Sequence, residues 1–164
     1  MRLGVRLVDT AATEALGRAL ANALDAIDGP CVLTLSGELG AGKTTLTRGM
    51  LRALGERSAV RSPTYTLIES YELGRWQVHH LDLYRLRATA EAEGLAPRDL
   101  LTARALLIVE WPERDASLAD SADLAVSLHY LDTRRHAEIE ARTPLGRQWL
   151  ESSAEGIAAV AIAF

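Results

Sequence analysis

The sequence predicts an α/β fold, a three-layer sandwich around a mixed, mainly parallel central sheet, and three observations predict it. An apolar run, Cys31–Leu35, leads through a glycine-rich loop into an amphipathic segment that starts near Lys43. Ala105-Leu-Leu-Ile-Val-Glu110 is the most apolar strand candidate in the chain and reads as central. Two further pairs of strand-like runs supply antiparallel neighbours, which makes the sheet mixed.

The elements follow in order. Leu16, Leu20, Leu24 and Ile27 recur at helical spacing from Thr10 to Ile27, with Asp9 or Thr10 as cap and Gly29-Pro30 as stop. Cys31–Leu35 is a short buried strand with β-branched residues. The next helix carries Leu46, Met50 and Leu54 on one face and ends at Gly55. Thr64–Leu73 and Trp76–Leu83 form a hairpin around Leu73-Gly74-Arg75. Ala88–Leu101 is a helical region interrupted by Pro97. Asp123–Leu131 and His136–Arg142 form a second antiparallel pair, and Leu145–Ser153 a short helix. The apolar tail Gly156–Phe164 is too short for periodicity to separate an edge strand from a helix packed on the sheet, and its role stays open. No linker, repeat or low-complexity segment interrupts the 164 residues, so one domain over 1–164 is expected.

Composition narrows the function. A hydrophobic content of 48% with 24% charged residues is that of an ordinary globule, and no apolar run reaches the length that spans a bilayer. Asp9 falls where a secretory leader would be apolar, and a lone cysteine, Cys31, makes neither a disulfide nor a cysteine metal site. A cytoplasmic protein without a membrane association is the expectation. A net charge of −4 argues against autonomous nucleic-acid binding, which needs clustered cations. Arg48, Arg52, Arg57 and Arg61, and later Arg85 and Arg87, are local concentrations that read first as solvated faces.

Of 18 basic residues only Lys43 is a lysine, and it lies in Gly37-Glu-Leu-Gly-Ala-Gly-Lys-Thr44. This matches G-x-x-x-x-G-K-[ST] without a gap, and the odds that the neighbours of a single lysine fit are roughly one in 1,500 by composition. The fold is therefore P-loop NTPase-like. Glycines let consecutive amides turn inward as an anion nest, and the following helix adds its unpaired amides and dipole. Lys43 brings a compact, rotatable charge to the β- and γ-phosphates of ATP, and Thr44 a hydroxyl to Mg²⁺. Such a site needs an acid at the end of a neighbouring strand. Glu110 and Asp82 both end strand candidates, Glu110 as a metal-facing carboxylate and Asp82 as holder of a metal-bound water or of the attacking one. Ser62-Pro-Thr-Tyr-Thr66 stands where P-loop switches sense the γ-phosphate. One of His79 and His80 faces the core or a partner, and Trp111 reads as packing close to the nucleotide.

A Ras-type GTPase is excluded, since an Asn-Lys-x-Asp segment cannot be built when Lys43 is the only lysine and Asn22 the only asparagine. A small-molecule kinase is the alternative, with Arg85, Arg87 and Arg98 as the only hints of a lid and an acceptor site. A binding module whose hydrolysis is incidental is a third reading.

Four motifs in order, Gly37-Glu-Leu-Gly-Ala-Gly-Lys-Thr-Thr45, Ser62-Pro-Thr-Tyr-Thr66, His80-Leu-Asp-Leu-Tyr-Arg-Leu86 and Val109-Glu-Trp-Pro112, resemble the TsaE (YjeE) family over roughly residues 10–150. The resemblance implies a weak ATPase subunit of the bacterial machinery that makes threonylcarbamoyladenosine in tRNA. TsaD and TsaB are the implied partners, and tRNA is reached through their complex. It implies Mg²⁺ at Thr44 and Glu110, and phosphates on Glu38, Leu39, Gly40, Ala41, Gly42, Lys43, Thr44 and Thr45. Asp82 becomes the organiser of the hydrolytic water, with Thr64 and Tyr65 in a switch-like segment. Thr13 lies by the adenine and Arg135 near the nucleotide.

Overall fold

The computed structural model describes residues 1–63, 66–85, 97–131 and 134–163. Seven strands, β1 (Arg2–Leu7), β2 (Cys31–Gly37), β3 (Ile68–Leu73), β4 (Trp76–Asp82), β5 (Ala105–Glu110), β6 (Leu124–Leu131) and β7 (Arg134–Ala141), form one sheet in the order β1-β7-β6-β2-β5-β4-β3. The core β6-β2-β5-β4 is parallel, and the flanking β1-β7, β7-β6 and β4-β3 pairings are antiparallel. This is the mixed sheet with a parallel centre that the sequence predicts, with β2 in the middle and β5 beside it. All six residues of β5 are buried, as a strand covered on both faces requires.

Among the described residues, the sheet is flanked by α1 (Thr10–Asn22), α2 (Lys43–Leu54), α3 (Ala116–Asp120) and α4 (Pro144–Ala163). Alternate residues of the parallel strands divide the core in two. Leu33, Leu35, Leu106 and Ile108 pack with Leu16, Leu20, Leu46, Met50 and Trp149 from α1, α2 and α4. Val32, Leu107 and Val109 face the other way, against Leu81, Leu83 and Leu118 of α3. Cys31 sits in the first cluster, where burial pushes its thiol pKa up and leaves it an inert apolar filler.

Local chemistry sets the helix ends. The Asp9 carboxylate accepts from the Ala12 amide at 2.8 Å and caps α1, which closes in a 3-10 turn at Ala23–Ala26. Gly55, at φ 114°, ends α2 in the left-handed conformation that a side chain resists. Thr143 Oγ1 accepts from the Gly146 amide at 3.0 Å and Pro144 opens α4. The hairpin forms as predicted, Leu73 opposite Trp76 across Gly74-Arg75, but β3 starts at Ile68 and not at Thr64. Glu14 gathers Arg48 at 2.8 Å and Arg52 at 3.4 Å, so two of the clustered arginines tie α1 to α2.

Two differences from the sequence reading have plain causes. β1 was not foreseen; Leu3, Val5 and Leu7 alternate over too short a run, and antiparallel pairing with β7 makes it a strand. The short helix expected at Leu145–Ser153 is a 20-residue helix that takes in the apolar tail. Its Ile157 and Val160 are buried in the α1/α4 cluster, so tertiary packing decides what periodicity could not. Of the helical region expected at Ala88–Leu101, the described part is a 3-10 turn at Pro97–Leu100. Thr64, Tyr65 and Arg87 lie outside the described residues.

Close approach of α1 and α2 depends on two glycines. A Cβ on Gly17 would overlap the Leu46 carbonyl oxygen, and one on Gly49 the Glu14 carbonyl oxygen. Gly17→Ala or Gly49→Ala should therefore destabilise the fold by about 2 kcal/mol or more, by overpacking against backbone. Urea unfolding should show a lower midpoint at unchanged slope.

Candidate functional site

The site is assembled at the carboxyl ends of the parallel strands, where crevices of open α/β sheets lie. β2 and β5 pair with Leu35 opposite Glu110, and β4 and β5 with Asp82 opposite Glu110. The two candidate carboxylates thus sit side by side on adjacent strand tips, next to the loop that leaves β2. A cleft of about 380 Å³ opens there, walled by Lys43, Thr44, Asp82 and Glu110 with Ser62 and Trp111.

Gly37, Gly40 and Gly42 of the loop have φ of 134°, 78° and 111°. At Gly37 a Cβ would overlap the Leu128 carbonyl, so a side chain there meets steric and torsional penalties together. Gly42 caps α2 without a side-chain bond, which leaves the first-turn amides unclaimed by any cap. Leu39 is 69% exposed at the tip.

Neighbouring elements hold this loop from both sides. Thr13, fully buried in the first turn of α1, places its Cγ2 3.3 Å from the point a Gly42 Cβ would occupy. Tyr130 Oη donates to the Leu39 carbonyl at 3.1 Å, and Arg135 Nη2 to the Gly40 carbonyl at 3.2 Å. The structure thus brings Thr13 and Arg135, far apart in the chain, together at Gly42.

The Lys43 ammonium donates to the Gly37 carbonyl at 2.6 Å and the Glu38 carbonyl at 2.9 Å, and lies 4.0 Å from the centre of the Trp111 ring. Burial lowers its pKa, while the charges of Glu110, Glu113 and Asp82 pull the other way. Trp111 has φ 60° and ψ 50°, a left-handed conformation that a bulky residue rarely takes. Its amide donates to the Leu35 carbonyl at 3.1 Å and its ring meets Tyr84 at 4.9 Å, contacts that hold it there.

Thr44 Oγ1 donates to Glu110 Oε1 at 3.0 Å and Oε2 at 3.2 Å. Asp82 accepts from the Ser62 hydroxyl and, at Oδ1, from the Tyr84 amide at 2.9 Å. A hydroxyl and two carboxylates beside a nest of amides are hard oxygen donors of the kind Mg²⁺ takes together with phosphate oxygens and water. The set could hold a magnesium–triphosphate. Among the described residues no cluster of three or more His, Cys, Asp or Glu side chains able to hold a metal by themselves is present, at the cleft or elsewhere.

Sequence reading missed one participant. His80, read only as facing the core or a partner, is fully buried with Nε2 2.8 Å from Glu110 Oε1. The signal was present: on a strand His80 shares its face with Asp82.

Residues 7–138 match the family model described as threonylcarbamoyl adenosine biosynthesis protein TsaE. The chain belongs to the TsaE family. Curated relatives agree with this. A Haemophilus influenzae protein named tRNA threonylcarbamoyladenosine biosynthesis protein TsaE is 43% identical over 113 residues, covering 69% of this chain and 72% of its own. A Streptomyces coelicolor protein of the same name is 37% identical over 138 residues, covering 82% and 91%. The TsaE-family chain also superimposes on the crystal structure of Bacillus subtilis YdiB with a TM-score of 0.76 at 26% identity, over 94% of this chain and 95% of that one.

The lowered pKa of Lys43 has a sign that can be checked. Its ammonium loses a proton at a lower pH than the ordinary 10.5, so affinity for an anionic triphosphate is level below that point and falls as pH rises through it. Calorimetric titration of ATP without metal, on protein shown to be folded by circular dichroism, should find this decline below the ordinary lysine range. In Lys43→Ala the affinity should be weak and flat in pH over the same range.

Proposed function

We propose that this chain is a magnesium-dependent ATPase that supports threonylcarbamoyladenosine formation in tRNA, acting in the cytoplasm on the TsaB–TsaD complex rather than on tRNA alone. The observation that carries the reading is the meeting of Lys43, Thr44, Asp82 and Glu110 in one cleft of a TsaE-family chain. Names of the relatives place those proteins in the same biosynthesis. Among the described residues no helix is long and apolar enough to cross a membrane.

In this reading the amides of Glu38–Thr45 and the Lys43 ammonium hold the phosphates of ATP. Thr44 and Glu110 would hold the metal, and Thr13 and Arg135 flank the nucleotide beyond Gly42. Mg²⁺ held there would supply charge neutralisation to the phosphates. Asp82, kept in place by the Ser62 hydroxyl and the Tyr84 amide, accepts a hydrogen bond from the attacking water and orients it. Lys43 leaves the Gly37 and Glu38 carbonyls for the phosphates, an exchange of neutral acceptors for charged ones. The Ser62 segment, bonded to Asp82, is the route by which the γ-phosphate state reaches the surface. Hydrolysis resets TsaB–TsaD between cycles, and turnover is slow until the chain docks.

Three measurements test this. Depletion of the protein should remove threonylcarbamoyladenosine from bulk tRNA by mass spectrometry; unchanged levels contradict the pathway. ATP turnover by the purified chain should rise on adding TsaB–TsaD, and full speed alone contradicts the coupling. Glu110→Ala should lower magnesium-dependent hydrolysis about a hundredfold or more while metal-free nucleotide affinity stays near wild type. Equal loss of both would make Glu110 a structural residue.

A further inference from the structure

We infer that His80 is a positioning residue for the metal-facing carboxylate, pinning one oxygen of Glu110 so that the other is presented to a divalent cation. The inference rests on the proposed role of Glu110 as a metal ligand.

The geometry is specific. β4 carries His80 and Asp82 on one face, and the β4–β5 register sets Asp82 beside Glu110. The imidazole therefore lies one pleat deeper than the strand tip and reaches Glu110 from behind. Nε2 is 2.8 Å from Oε1, with both side chains buried: His80 is 0% exposed and Glu110 2%. Thr44 approaches the same carboxylate from the α2 side, at 3.0 Å from Oε1 and 3.2 Å from Oε2. Among the described residues, Oε1 accepts from both side chains and Oε2 from Thr44 alone, at the longer distance.

The rest of the imidazole makes no competing bond. Nδ1 is buried and, among the described residues, has no hydrogen-bond partner. Among the described residues the one polar contact of the ring is to the acid at the cleft. The tautomer with its proton on Nε2 donates to the carboxylate, a charge-assisted bond to a group held in low dielectric. Hydrogen-bonded support of a ligating carboxylate orients it and typically changes metal affinity by ten- to a hundredfold.

The test compares His80→Gln, whose side-chain amide nitrogen reaches about as far as Nε2, with His80→Asn, whose nitrogen stops near the Nδ1 position. For each, and for wild type, calorimetry measures the affinity for AMP-PNP in EDTA and in saturating Mg²⁺, after circular dichroism has compared the folds. The ratio of the two affinities is the magnesium-linked gain. Wild type and His80→Gln should show similar gains, His80→Asn a gain reduced about tenfold or more, and all three the same affinity in EDTA. Equal gains in all three proteins, equal loss of gain in both variants, or a parallel loss in EDTA would each overturn the inference. A wild type with no magnesium-linked gain would overturn the metal reading of Glu110 itself, a different result from a variant that behaves as wild type.

Discussion

The register of β2, β5 and β4 is the constraint from which the site follows. Parallel pairing sets Leu35, Glu110 and Asp82 level across three strands, so the exit of the phosphate loop and both carboxylates arrive at one edge together. Side chains alternate along a strand, and a slip of one residue would turn Glu110 toward the α3 face and bring Val109 to Thr44. The apolar pattern resists that slip. Leu106 and Ile108 belong to the α1/α2/α4 cluster while Leu107 and Val109 belong to the α3 cluster, so exchanging faces would disturb both halves of the core. The acid is placed by the hydrophobic residues that precede it.

A glycine loop alone would be a floppy anion nest, because glycine loses the most backbone freedom on ordering. Here long-range contacts do the ordering. Thr13 abuts Gly42 from α1, while Tyr130 and Arg135, cross-strand neighbours on β6 and β7, bond the Leu39 and Gly40 carbonyls. β7, antiparallel to β6 and outside the parallel core, therefore has a part in the site. This also explains why β1 matters: pairing with β7, it turns that hairpin from an edge into an interior position.

How much of this could be read from the chain alone depended on how local the cause was. The loop, α2 and its Gly55 stop were legible because each is written within a few consecutive residues. Glu110 and Asp82 were legible as strand-terminal acids, since burial makes a carboxylate there need a partner. Their adjacency was not, because it depends on strand order, and strand order is a property of the whole sheet. β1 and the extent of α4 were hidden for the same reason. The alternation of Leu3, Val5 and Leu7 has no meaning until β7 exists, and Ile157 and Val160 show a helical face only against α1. His80 was half legible, for its face was implied by Asp82 but its partner lay 30 residues away.

Lys43 shows how the site's own bonds limit and shape what it can bind. Its ammonium already has two carbonyl acceptors at 2.6 and 2.9 Å and an indole face at 4.0 Å. An anion entering the cleft gains only the difference between its own attraction and those contacts, so a bare charge count overstates the affinity. The contacts given up are not idle, however. The carbonyls belong to Gly37 and Glu38 of the loop, and the indole to Trp111, whose left-handed backbone follows directly on Glu110. One side chain, the only lysine in the sequence, thus joins the carbonyls of the loop to the residue that follows Glu110.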